Sequence, residues 1–90
     1  MSHYVAAYDI SDPRHRERVA RILSGYGQRV QLSVFQIWVE PEDLPQLRRE
    51  VGSYLDLEDA FDLFPLDCRE PDRRIRWQHA PPGRDAVVML

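Results

Sequence analysis

Asp9 closes the apolar run Tyr4-Val5-Ala6-Ala7-Tyr8, and Arg14, Arg16, Arg18, Arg21 and Arg29 gather just beyond it. A carboxylate at a strand end can ligate a divalent cation, which then bridges a phosphodiester and activates water. Guanidinium groups beside it can grip phosphate or offset the charge that develops as the bond breaks. Residues of these types in this order point to phosphodiester chemistry. Arg16, Arg18 and Arg29 are the arginine candidates, and Ser33 offers a hydroxyl. Tyr8 and Phe35 are aromatics within reach of a base. Each has a plainer reading too. Asp9 could accept from the backbone N–H of Ser11 or Asp12 as a turn cap. Arg14 and Arg21 suit solvated i,i+3 and i,i+4 pairing with Glu17. Tyr8, Phe35 and Trp38 suit a core or a dimer contact, and Ser33 suits a turn.

The elements that must carry these residues follow from periodicity. Tyr4 to Ile10 is apolar on both faces, the signature of a central strand. Ser11-Asp12-Pro13 starts a helix, with Asp12 as cap and Pro13 in the first turn. That helix runs to about Tyr26 on a stripe of Val19, Ile22, Leu23 and Tyr26. Arg16 sits on the edge nearer the strand end, while Arg14, Arg18 and Arg21 share another face. Gly25 and Gly27 give a helix stop and a tight turn. The chain then re-enters as strand with Val30, Leu32, Val34 and Phe35 to bury. Arg29 to Gln31 and Val34 to Glu40 make two strands around a short connection. Asp43 caps a second helix with Pro45 in its first turn and Leu44, Leu47, Val51, Tyr54 and Leu55 inward. Phe61 to Leu66 alternates as a further strand.

The order β-α-β-β-α-β predicts an α+β ferredoxin-like sandwich over residues 1–67, two helices covering one face of an antiparallel sheet. Residues 68–90 form a C-terminal extension. Within it Arg74 to Trp77 alternates as an edge strand would, Pro81-Pro82-Gly83 breaks the chain, and Ala86 to Leu90 is apolar. Such a strand needs a partner, and pairing across a dimer supplies one.

Composition narrows the classes. Ninety residues allow one domain, and so small a core gains from oligomerisation. A lone Cys68 excludes an internal disulfide and cysteine clusters for zinc or iron–sulfur, and fits a reducing cytoplasm. His3, His15 and His79 have no metal-ligand spacing. No apolar run approaches a bilayer-spanning length, so no membrane role is expected. The net charge of −3 argues against a general nucleic-acid binder, but the charge is segregated. Residues 10–31 carry net +3, residues 40–67 net −7 and residues 68–90 net +2, which predicts two faces with different partners. All 12 basic residues are arginine.

Tyr8-Asp9-Ile10-Ser11-Asp12, Arg16-Glu17-Arg18-Val19 and Gly27 to Phe35 together resemble the small CRISPR-associated protein family Cas2, in its order and spacing over residues 1–67. The resemblance implies a ferredoxin-like homodimer with an interfacial cleft. It implies a magnesium-dependent endoribonuclease with Asp9 as metal ligand near the two-fold axis. Tyr8, Arg16, Arg18, Arg29, Ser33 and Phe35 hold the positions the family ties to activity or cleft structure. A role in spacer acquisition is implied as well, bridging the Cas1 integrase and binding RNA or duplex DNA. Two alternatives accompany it: a non-catalytic adaptor of the integrase complex, and a virulence-associated toxin ribonuclease of the same architecture. Residues 68–90 match no fixed family pattern.

Overall fold

The computed structural model describes residues 2–66, 75–77 and 87–89. Its elements are β1 (Ser2–Asp9), α1 (Pro13–Ser24), β2 (Gly27–Gln31), β3 (Val34–Val39), a 3-10 turn (Pro41–Asp43), α2 (Leu44–Gly52), β4 (Ala60–Pro65), β5 (Ile75–Trp77) and β6 (Val87–Met89). All strand pairs are antiparallel, in the order β2-β3-β1-β4-β5-β6. The first four strands and two helices are the ferredoxin-like unit the alternation predicts. The extension adds two short strands to it. Both pair within the protomer, β5 on β4 and β6 on β5. Cys68, His79 and the Pro81-Pro82-Gly83 break lie outside the described residues.

β1 is central, flanked by β3 and β4, which explains its apolar composition. Its side chains alternate: Tyr4, Ala6 and Tyr8 are buried while Val5 and Ala7 are half-covered. The buried set meets Phe35, Ile37 and Val39 of β3, Phe61 and Leu63 of β4, and Val19, Leu23, Leu47 and Val51 from the helices. Because side chains on a strand alternate faces, Val5, Ala7 and Asp9 belong to the opposite face.

Local chemistry sets the helix ends, and differs from expectation in three places. Asp12 caps α1 as predicted, its Oδ1 accepting from the N–H of Arg14 at 2.8 Å and of His15 at 3.3 Å. The helix ends at Ser24 rather than Tyr26, and Gly25 takes an ordinary right-handed conformation (φ −75°), so it uses none of glycine's special freedom. Asp43 makes no side-chain cap bond. It closes a 3-10 turn instead, its N–H donating to the Glu40 carbonyl at 2.9 Å, and its backbone is already helical. A helical backbone aims the side chain away from the first-turn N–H groups.

Val30 and Leu32 are a further correction. They are 52% and 82% exposed, not buried. β2 is the outer strand next to β3 alone, and Leu32 lies in the turn, so no layer covers either residue.

Asp12 brings a testable pH dependence. The N–H groups of Arg14 and then of His15 hold its carboxylate below the ordinary value of 3.8. A depressed folded-state pKa stabilises above the unfolded value, and that stability is lost as pH falls through the folded one. Asp12→Ala is expected to lower the melting temperature at pH 7, and Asp12→Asn to keep most of the cap. The Asp12→Ala difference should shrink below about pH 4, which thermal melts across pH 3–7 would show.

Candidate active site

Asp9 is exposed at the end of β1, paired through the ladder with Ala60 of β4. Among the described residues its carboxylate has no hydrogen-bond or ion-pair partner. The cap reading for Asp9 therefore falls. Asp12 takes the helix N-terminus, and the Ser11 N–H donates to Asp59 Oδ1 at 3.1 Å. Among the described residues the carboxylate that ends the central strand has no structural task.

On the helix-covered side lies a notch of about 350 Å³ lined by Tyr8, Pro13, Arg16, Glu17, Arg29, Leu32 and Ser33. Four of the residues singled out from sequence meet here: Tyr8, Arg16, Arg29 and Ser33. β1 presents Tyr8, the first turns of α1 present Arg16, and the β2–β3 hairpin presents Arg29 and Ser33. The hairpin tip is tied down by the Tyr8 N–H donating to the Ser33 carbonyl at 3.1 Å. The Tyr8 hydroxyl points the same way, at a long 3.4 Å from the Leu32 carbonyl.

Phe35 lies beneath the notch rather than in it. It is fully buried, and the Arg29 guanidinium rests 5.2 Å from its ring centroid. A cation over an aromatic face is held in place electrostatically. Tyr8 stacks between Phe35 and Phe61, at 6.4 and 6.2 Å. Within the protomer both aromatics therefore have core surroundings, and they support Arg29 and the notch floor.

Arg18 and Asp9 do not line the notch. Arg18 is exposed two residues beyond Arg16, roughly 200° around the helix. Asp9 follows Tyr8, so the alternation of β1 sends it to the other face of the sheet. The site thus divides into a guanidinium notch and a carboxylate on opposite sides of one strand end. Arg14 and Arg21 are exposed, and neither reaches Glu17.

Two residues escaped the sequence reading. Glu17 lines the notch with no ion-pair partner among the described residues, a placement that the helix spacing from Pro13 foreshadows at i+4. Asp59 is fully buried and accepts from Ser11 and from Asp56. Its one sequence signal is an acidic residue at the entry to an apolar strand. His15 adds a link to the same end, its Nδ1 3.6 Å from Asp56 and its Nε2 3.9 Å from Asp12. Far from the site, burial and then the charges of Glu50 and Asp43 push the Tyr26 hydroxyl up, which keeps it neutral. Among the described residues no helix is long and apolar enough to cross a membrane.

A ferredoxin-like sheet with an exposed carboxylate at its central strand end and an arginine notch behind it defines a small α+β domain. The sequence model of CRISPR associated protein Cas2 matches residues 1–74, so the chain belongs to the Cas2 family. A Thermus thermophilus CRISPR-associated endonuclease Cas2 is 44% identical over 64 residues, 70% of this chain and 71% of that protein. A Nitrosomonas europaea CRISPR-associated endoribonuclease Cas2 is 41% identical over 71 residues, 78% of this chain but only 63% of that protein's length. The crystal structure of a hypothetical protein, TT1823, from Thermus thermophilus superposes with a TM-score of 0.70 at 41% identity, covering 74% of this chain and 83% of the other.

Proposed function

We propose that this protein is a homodimeric spacer-acquisition component that binds nucleic acid, bridges the Cas1 integrase and hydrolyses phosphodiester bonds at Asp9 with magnesium. One observation carries the hydrolytic part: Asp9 ends the central strand exposed and, among the described residues, its carboxylate has no partner, while Asp12 and Asp59 perform the capping it would otherwise serve. The names of the relatives, endonuclease and endoribonuclease, agree with it. Purified Asp9→Ala and Asp9→Asn proteins test it, since cleavage equal to wild type would remove Asp9 from the chemistry.

The residues fit magnesium as partial ligands. Among the described residues no three His, Cys, Asp or Glu side chains gather to cage a metal. Magnesium commonly takes one or two carboxylates and keeps its waters, so Asp9 from each of two protomers matches its habit. When bound, the ion supplies charge neutralisation at the phosphate and a more acidic water. Asp9 holds the hard-oxygen end of the site. Arg16 and Arg29, with the Ser33 hydroxyl, grip a backbone phosphate in the notch, on the other side of the strand end. Sugar-phosphate contacts of this kind position a strand without reading its sequence. Arg18, exposed on α1, adds to the basic surface around it.

Arg16→Ala and Arg29→Ala are each expected to weaken binding of a short duplex or RNA roughly tenfold at low salt. Each should also lower the log–log salt slope by about one phosphate contact. Fluorescence anisotropy between about 50 and 200 mM salt would show it, and an unchanged slope would take both arginines out of phosphate binding.

The adaptor reading is favoured by a separate observation. Asp9 alone at the strand end is a thin hydrolytic site, whereas the basic notch and the charge segregation between residues 10–31 and 40–67 need no catalysis to be useful. Spacer integration that survives Asp9→Ala would make scaffolding the main task.

A further inference from the structure

Asp59 is 1% exposed, the buried charged side chain among the described residues. Its two oxygens serve two different loops. Oδ1 accepts from the Ser11 N–H at 3.1 Å, across 48 residues of chain, and Oδ2 accepts from the Asp56 N–H at 2.8 Å. The Asp59 N–H in turn donates to the Asp56 carbonyl at 3.0 Å, closing its own turn. A buried carboxylate is costly unless its lone pairs are engaged, and here two backbone donors engage it.

The donors lie where the site needs order. Ser11 follows Asp9 by two residues, with Ile10 buried at 2% between them. Upstream, Asp9 is in ladder register with Ala60, the residue after Asp59. The backbone that bears Asp9 is therefore pinned on both sides by the adjacent residues Asp59 and Ala60. We infer that Asp59 is a positioning residue for Asp9: it clamps the β1–α1 turn so that the exposed carboxylate projects in one direction. This inference rests on the metal-ligand reading of Asp9. It extends that reading by assigning the aim of the ligand to a residue that never touches the substrate.

A neutral isostere separates position from mere bulk. In Asp59→Asn one oxygen becomes an amide nitrogen, which faces one of the two backbone N–H groups donor to donor and cannot accept from it. Two measurements on the full chain are decisive. Backbone order parameters of residues 9–11 are expected to fall from about 0.85 toward 0.6, while Arg14 and His15, held by Asp12, stay rigid. The manganese concentration that half-broadens resonances around Asp9 is expected to rise roughly tenfold, as for loss of an outer-shell partner. Nucleic-acid affinity should hold within about twofold, because Arg29 and Ser33 keep their own ties to Phe35 of β3 and Tyr8 of β1, and α1 keeps its Asp12 cap.

Unchanged order over residues 9–11 would overturn the inference whether or not Asp9 binds metal. Lost order with an unchanged manganese midpoint would overturn it too, leaving Asp59 a stability clamp only. Wild-type protein that shows no broadening at all would refute the metal reading of Asp9, and the order parameters alone would then decide the clamp. If Asp59→Asn does not fold, Asp59→Glu, which keeps both acceptors on a longer arm, goes through the same two measurements with smaller losses expected.

Discussion

Asp9→Asn is expected to reduce magnesium-dependent cleavage at least about a hundredfold while leaving the melting temperature within about 3 °C of wild type. The two halves of that expectation have separate causes. Metal-ion stabilisation of a developing phosphate charge is worth several kcal/mol, and each 1.36 kcal/mol is about tenfold in rate. Where Asp9 holds the cation, an amide cannot replace its anionic oxygen. Stability, by contrast, has no stake in the group, because the Asp9 carboxylate is exposed and bonded to nothing among the described residues. A variant that loses both activity and stability would show instead that the carboxylate has a structural task. Single-turnover cleavage of a labelled strand, beside a thermal melt of the same preparation, reads both.

The second large effect belongs to Gly27. A Cβ built there would collide with the Gln36 carbonyl oxygen and come within 2.8 Å of the Ile37 Cα, both backbone atoms of β3. Gly27 is in register with Ile37, at the mouth of the hairpin that carries Arg29 and Ser33. Backbone cannot swing aside as a flexible side chain would, so the two strands must separate. Gly27→Ala is expected to cost about 3 kcal/mol, which for a domain of this size is roughly a 15 °C drop in melting temperature. The displaced hairpin should weaken nucleic-acid binding in the same variant. Melts at matched protein concentration check the first effect, because any association would otherwise shift the midpoint. A drop below about 3 °C would show that the hairpin can open around the methyl group without cost.

Gly27 also shows where the sequence could be read and where it could not. A glycine before an extended run announces a special backbone, and a tight turn was the natural expectation. The actual demand is closeness to a neighbouring strand, which depends on pairing across the sheet and has no local signature. The helices and the four-strand order were legible because their periodicities are local: Val19 and Leu23 on α1, Leu47 and Val51 on α2, and the strict alternation of Phe61 and Leu63. The exposure of Val30 and Leu32 was not legible. An apolar alternation looks the same in an edge strand and a central one, and only the sheet order distinguishes them.

The site divides along the same line. Arg16, Arg29, Tyr8 and Ser33 were singled out from type and position, and the fold brings them to one notch. Their separation from Asp9 follows from one-residue alternation on β1, which the strand assignment already contained. Asp59 was missed because its partner is 48 residues away. Nothing in the spacing of Asp56-Leu57-Glu58-Asp59 distinguishes a buried clamp from a solvated acidic turn.

Manganese titration of isotope-labelled protein tests the central claim most directly. Paramagnetic broadening centred on Asp9, Ala60 and their neighbours, absent from Asp9→Asn, is the result expected. Broadening that survives the substitution, or that settles instead on the acidic turn around Asp56, would contradict it.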